Sequence, residues 1–394
     1  MSQTAAPPAP ARRHRRGRLI ATWLIGTLAV LVALTGVGAY LVWSHLNGNI
    51  AHPPRIAEPR HTAPPQGLAH SENILLIGSD TRAFKGGGKF GAAITGARSD
   101  TTILVHLYAD GQHAVLVSIP RDTYADIPSC KQGQTTTAPQ QNKFNVAFSL
   151  GGPYCTIALV ENMTHLRIDH FVEVNFAGFQ RMVDALGGVN VCLTHPINDP
   201  VRINPVTGGH IGSGLVIGAG NHVLHGKDAL GFVRARYAVG DGSDLGRIKN
   251  QQVFLASMIR KATSTGMLFH PYSLYSFLDA ATKSIATDPG FGLGQLRDLA
   301  SRLHGLKPGK IQLLTVPLSN TNAYVPIGGV QASVVYWDTA RATALFHALR
   351  NDKPISGHKP HPSPAPSGSP TPTPTPSPSN PLGAVTASSA RCTA

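Results

Sequence analysis

Apolar residues dominate the start of the chain. Leu19 to Trp43 forms an uncharged run of 25 residues, enough to span a hydrocarbon core of about 30 Å as a helix. Downstream the apolar positions fall into shorter blocks. Asn73–Gly78 is an apolar run ending in glycine, the pattern of a buried strand. Thr101–Tyr108 and Ala114–Ile119 are rich in β-branched residues and flank Ala109-Asp110-Gly111-Gln112, whose Asp-Gly marks a hairpin turn. Tyr154–His165 and Phe176–Leu186 carry helical spacing, and Gly187-Gly188 closes the second. Phe171–Val174 and Val189–Cys192 read as strands around that helix. Helices are expected over Lys227–Phe232, from Ser243 or Asp244 to about Thr265, and over Tyr272–Ile285, Gly292–Leu303 and Thr339–Leu349. Late strands are expected at Ile311–Val316 and Gln331–Tyr336. Strands interspersed with helices, with one hairpin, predict an α/β fold: a mixed, partly antiparallel central sheet covered by helices.

Composition divides the 394 residues further. Residues 44–70 hold five prolines and no apolar period, which predicts a stalk, and residues 354–381 hold eleven prolines with Ser, Thr and Gly, which predicts an extended, solvated tail. The expected order is a basic tail over 1–18, a transmembrane segment over 19–43, the stalk, a folded body over 71–350 and a disordered tail over 351–394. Charged residues make up only 14%, which excludes a long charged coiled coil, while 42% hydrophobic residues suffice for a core. The net charge is +14, and Arg12, Arg13, Arg15, Arg16 and Arg18 crowd in front of the apolar run. By the positive-inside rule that end is cytoplasmic and the body lies outside the membrane. A cleaved signal peptide would have a shorter apolar part and an A-x-A-like site, and none is seen. An extracytoplasmic location argues against nucleic acid as partner and permits disulfides. Of the three full pairings open to four cysteines, Cys130–Cys155 is favoured because the two bracket one polar loop.

Candidate chemistry gathers at strand ends. Asp80 follows the first strand and Arg98-Ser99-Asp100 leads into the second. Arg121-Asp122 follows the third, stiffened by Pro120. A capping Asp or a structural ion pair explains any one of these, but three successive strand ends carrying acid and arginine suit Mg²⁺ bridging a phosphate. Five glycines between Asp80 and Asp100 predict a flexible loop able to close over a ligand. Arg234 and Arg236 reach one anion only if the chain is extended there, and paired guanidiniums suit a pyrophosphate. Arg247 and Gln251 stand four residues apart on one helical face, near the helix start, where free N–H groups favour anions. Lys143, in a segment expected to open an apolar helix, is a further phosphate contact. The stripe Phe171, Val174, Phe176, Phe179 and Met182 reads better as core than as a lipid pocket. No Gly-x-Ser-x-Gly elbow, Walker loop or His-Glu-x-x-His is found.

Asn73–Arg82, Arg98–Thr102, Ser118–Asp122, Lys143–Phe148, Ile168–Leu193 and Arg234–Gln252 resemble, in this order, the motifs of the LytR-CpsA-Psr cell-wall ligases. The resemblance is close over about 75–260, and the apolar run in front fits the family's single-span topology. It implies an α-β-α fold and a phosphotransferase that moves a glycopolymer from a polyprenyl-pyrophosphate carrier to a peptidoglycan hydroxyl through a phosphodiester. By matching positions, it implies Asp80 and Asp100 as ligands of Mg²⁺. Arg98, Arg121, Arg234, Arg236 and Arg247 are the implied pyrophosphate contacts, with Gln251 and Lys143 beside them and Asp122 as a candidate base. Asn250 departs from the arginine common among relatives before the glutamines. A lipid-pyrophosphate hydrolase and a non-catalytic, membrane-anchored binder are the alternatives.

Overall fold

A computed structural model describes residues 13–53, 71–80, 98–132, 135–203, 210–236, 244–262, 264, 270–306, 310–355 and 385–386. Two compact units divide it, Met1–Gly48 and Asn49–Ala394. The described residues of the first lie in one helix, α1 (Arg13–Asn49), whose portion Ile20–Asn49 is long and apolar enough to cross a bilayer.

The second unit is built on a seven-stranded sheet. Its central strands are β1 (Glu72–Ser79), β2 (Ser99–Leu107) and β3 (Ala114–Ile119), which pair antiparallel in succession. The β2–β3 connection is the expected Asp-Gly turn: the Asp110 carboxylate accepts from the Gln112 and His113 amides, and Gly111 takes φ +63°. On one side β1 runs parallel to β6 (His170–Asn175), which pairs antiparallel with β9 (Ile285–Thr287). On the other side β3 runs parallel to β10 (Ile311–Thr315), and the short β13 (Val385–Thr386) lies antiparallel beside β10. The sheet is thus mixed and partly antiparallel, as expected.

The strands bury both faces, so they read as apolar runs and not as alternating ones. Leu75, Ile77, Leu104, Val117 and Ile119 meet α2 (Val146–Thr164) and α8 (Thr339–Arg350) on one face. The alternate residues Ser118 and Thr315 point to the other face, where both meet Gln252 of α5 (Asp244–Ala262) at 3.1 and 3.3 Å. Helix, sheet and helix therefore form three layers. A second apolar cluster joins α3 (Phe176–Ala185), α4 (Gly226–Arg234) and α5 with β7 (Val189–Leu193). Helices α6 (Pro271–Thr282) and α7 (Leu293–Gly305) flank β9 in sequence.

Several elements differ from expectation. The helix expected over Tyr272–Ile285 stops at Thr282, and its last residues begin β9. The helix expected from Tyr154 starts eight residues earlier and kinks where Gly151 and Gly152 leave helical geometry before Pro153. Lys143 does not open a helix: it ends β5 (Gln140–Lys143), paired antiparallel with β4 (Tyr124–Ile127). Strand β11 (Leu318–Ile327), a polar run, pairs with β12 (Val330–Trp337) and was not expected. The disulfide Cys130–Cys155 is present. Ala51, inside the segment expected as a stalk, bridges to Ala286 of β9. Residues 54–70, the five glycines before Asp100 and residues 356–384 lie outside the described residues.

Candidate functional site

The ends of β2 and β3, the last turn of α4 and the first turns of α5 converge on a cavity of about 260 Å³. Asp100, Thr101, Arg121, Arg234, Arg236, Arg247 and Gln251 line it, with Phe176, Asp199, Gly212 and Val233. Four arginines against two aspartates make a strongly cationic wall, suited to an anion with several oxygens.

The strand side is held by ion pairs. Arg121 donates through a guanidinium N–H to the Asp100 carboxylate, with both side chains about one-fifth exposed. Asp122 stands behind, with Lys143 Nζ at 3.0 Å, Arg121 Nε at 3.7 Å and Arg236 Nη2 at 3.9 Å. Backbone bonds grip this turn from two directions. Asn145 and Phe144 donate to the Arg121 and Thr123 carbonyls, and Val335 of β12 donates to the Asp122 carbonyl. The Trp337 indole N–H reaches Thr123 Oγ1 at 3.1 Å. The unexpected hairpin β11–β12 thus braces the Arg121-Asp122 turn.

The helix side holds its cations differently. Arg234 is the last residue of α4, and Ala235 breaks into extended geometry with ψ 127°, so Arg234 and Arg236 both reach the cavity. The Arg234 guanidinium lies 5.0 Å above the Phe176 ring centroid. Phe176, placed in the core stripe by sequence pattern, is in fact part of the cavity wall. Arg247 is buried, with 4% of its surface exposed. Gln251 donates to the Val233 carbonyl at 3.1 Å and locks α5 onto the end of α4. Asn250 turns to the Phe232 carbonyl at 3.4 Å and is absent from the lining.

Four expected residues do not line the cavity: Asp122 and Lys143, which stand behind Arg121, and Asp80 and Arg98. Asp80 and Arg98 meet at the β1–β2 end, where the Arg98 amide donates to Asp80 Oδ1 at 2.6 Å, but neither side chain lines the cavity. Beneath Asp80, Ser79 donates to Glu173 Oε1 at 2.7 Å. Burial pushes the Glu173 carboxyl up to about 7, and the Ser79 hydrogen bond opposes that rise only in part. Asp199 was not foreseen. It sits in a short strand, β8 (Ile197–Asp199), whose sequence carries no motif, and only the fold brings it beside the arginines.

The sequence profile of the LytR_cpsA_psr family matches residues 55–348. The chain is 31% identical over 351 residues to a probable cell wall biosynthesis protein LcpB of Corynebacterium glutamicum, covering 85% of this chain and 74% of that one. It is 32% identical over 250 residues to a polyisoprenyl-teichoic acid–peptidoglycan teichoic acid transferase TagU of Bacillus anthracis, covering 62% and 72%. Among solved structures, TagT bound to LIIa-WTA superposes with TM-score 0.52 at 25% identity, over 76% of this chain and 99% of the other. A LytR-Csp2A-Psr enzyme from Actinomyces oris shares the fold, with TM-score 0.53 at 20% identity over 76% and 96%.

Proposed function

The chain belongs to the LytR-CpsA-Psr family, and we propose that it transfers a glycopolymer from a polyprenyl-pyrophosphate carrier to a peptidoglycan hydroxyl, leaving a phosphodiester link and releasing polyprenyl phosphate. The observation that carries this reading is the cavity itself, where Arg121, Arg234, Arg236 and Arg247 surround one polyanion-sized space. The names of the relatives, a teichoic acid transferase and cell wall biosynthesis proteins, supply the substrate class.

In this reading the acceptor oxygen attacks the phosphorus bonded to the glycan, and the bond to the prenyl phosphate breaks. Charge builds on the bridging and leaving oxygens, where the four arginines lie ready without reorganisation. Arg121 is aimed by Asp100 and Asp122, Arg234 by the Phe176 ring, and Arg236 by Asp122. The three cations around Asp122 support a role in orienting these arginines. Asp80 and Asp100, two carboxylates at neighbouring strand ends, would hold Mg²⁺, and of the two only Asp100 lines the cavity; Mg²⁺ takes one or two carboxylates and fills its shell with phosphate oxygens and water. When bound there, Mg²⁺ would neutralise phosphate charge. Arginines in front of the apolar span support, by the positive-inside rule, a catalytic unit outside the cytoplasmic membrane beside its lipid-linked donor.

The test uses the full chain in detergent with a synthetic prenyl-pyrophosphate-linked saccharide, peptidoglycan oligomers and Mg²⁺, with products resolved by mass spectrometry. A glycan–phosphate–glycan product, lost in Asp100→Asn, is expected. Sugar phosphate and prenyl phosphate without conjugate would make the protein a hydrolase, and binding without turnover would make it a receptor.

A further inference from the structure

Among the cationic groups of the cavity wall one carboxylate has no task in the chemistry above. Asp199 is buried, with only 1% of its surface exposed, yet it lines the cavity. Its loop fixes it: Ser213 N donates to Oδ2 at 3.0 Å and Gly214 N donates to the Asp199 carbonyl at 2.8 Å. Gly212 closes this loop at φ +94°, where a Cβ would stand 2.2 Å from the Pro200 carbonyl oxygen, so no larger residue fits. The other oxygen, Oδ1, has no hydrogen-bond partner among the described residues. Arg202 Nη2 is 3.9 Å away, too far to donate, on a side chain about half exposed. A buried carboxylate oxygen left without a donor is costly, so one on a residue that lines a ligand cavity points to a donor on the ligand.

We infer that Asp199 Oδ1 accepts a hydrogen bond from a hydroxyl or amide N–H on the first sugar of the donor, and so sets which glycan the protein accepts. A carboxylate only accepts, and it repels phosphate oxygens, so the diphosphate cannot be its partner. A third metal ligand is not supported either, since the described residues contain no group of three His, Cys, Asp or Glu able to hold an ion. What remains within one cavity's reach of the phosphates is the sugar bonded to them. A site built to bond a substrate hydroxyl rejects an analogue lacking it far more sharply than an apolar pocket does.

This inference rests on the transferase reading, and the experiment separates the two. Full-length protein in detergent is titrated with two ligands of equal prenyl length, one a bare prenyl pyrophosphate and one carrying the first sugar. Asp199→Asn keeps an acceptor for Ser213 N and is expected to weaken the sugar-bearing ligand about tenfold relative to the bare one, whose affinity does not fall because a charge that repels phosphate is removed. Both titrations use one sample, so a partly unfolded variant still reports the ratio. A second measurement needs no variant: with wild-type protein, one of a series of monodeoxy or deacetylated sugar ligands should bind about tenfold more weakly than its parent. Equal weakening of both ligands by Asp199→Asn, or a series without any discriminating member, overturns the inference. Loss of both ligands in the wild type would instead remove the transferase reading on which it stands.

Discussion

The two halves of the cavity hold the same kind of side chain by different means. On the strand half, Arg121 and Lys143 are fixed by Asp100 and Asp122, so each positive charge arrives already partnered by a carboxylate. On the helix half, Arg234 lies over Phe176, Arg247 is packed inside, Gln251 clamps α5 to the Val233 carbonyl and Gln252 ties it to the Ser118 hydroxyl. Ion pairs fix direction but offset part of the field that an anion feels. An aromatic face fixes direction and leaves the charge for the ligand. The strand half therefore orients the site through ion pairs, while on the helix half the Phe176 ring holds Arg234. Arg236 belongs to both, since it lines the cavity beyond α4 yet stands 3.9 Å from Asp122.

This contrast can be broken from either side. The largest effect is expected for Arg121→Ala, which removes a cavity charge and leaves Asp100 facing the phosphates unpaired. Turnover should fall about 10²–10³-fold, equivalent to roughly 2.7–4 kcal/mol of transition-state stabilisation. Product formation at saturating donor measures it, and full turnover would remove Arg121 from the site. Asp122→Asn should cost roughly tenfold in kcat/KM with donor binding little changed, because it disorders Arg121 and Arg236 without deleting them. Were binding to collapse instead, Asp122 would be contacting the ligand itself. On the helix half, Phe176→Leu keeps the apolar volume but loses the ring under Arg234. About threefold weaker donor affinity is expected, within the range for a partly exposed cation–π contact.

A smaller effect concerns stability alone. Glu173 carries a folded-state pKa of about 7 against an ordinary glutamate's 4.5, so its neutral form is favoured in the fold. Below about pH 4.5 it is protonated in both states and costs nothing. As pH rises towards 7 the unfolded chain releases the proton first and the folded state loses stability. Glu173→Gln, which can still accept from Ser79, should raise Tm at pH 8 and leave it unchanged near pH 4. Equal shifts at both pH values would show that packing, not ionisation, governs this position.

How far each half was legible in the sequence follows from the same physics. The strand half could be read because its residues stand next to apolar runs that end in Gly or Pro. Gly78 before Ser79-Asp80 and Pro120 before Arg121 mark where strands stop, and side chains there gather at one sheet end. Arg247 and Gln251 were legible because a spacing of four fixes a common helical face. Other residues gave no local signal. Phe176 looked like core because a phenylalanine under a guanidinium has the same pattern as one under a leucine. Asp199 lies in a three-residue strand, and Lys143 was misplaced onto a helix because the pairing of Gln140–Lys143 with Tyr124–Ile127 is non-local. The hairpin β11–β12, which braces Arg121 through Val335 and Trp337, is polar along β11 and lacks the apolar alternation of a half-buried strand.

The central claim is that both halves grip one pyrophosphate. Isothermal titration of the full-length protein with a short prenyl pyrophosphate tests it directly, comparing wild type, Arg121→Ala and Arg247→Ala. The account predicts saturable one-to-one binding, weakened at least tenfold by either change and weakened further by added salt. Binding that survives both substitutions unchanged would place the diphosphate elsewhere and contradict the account.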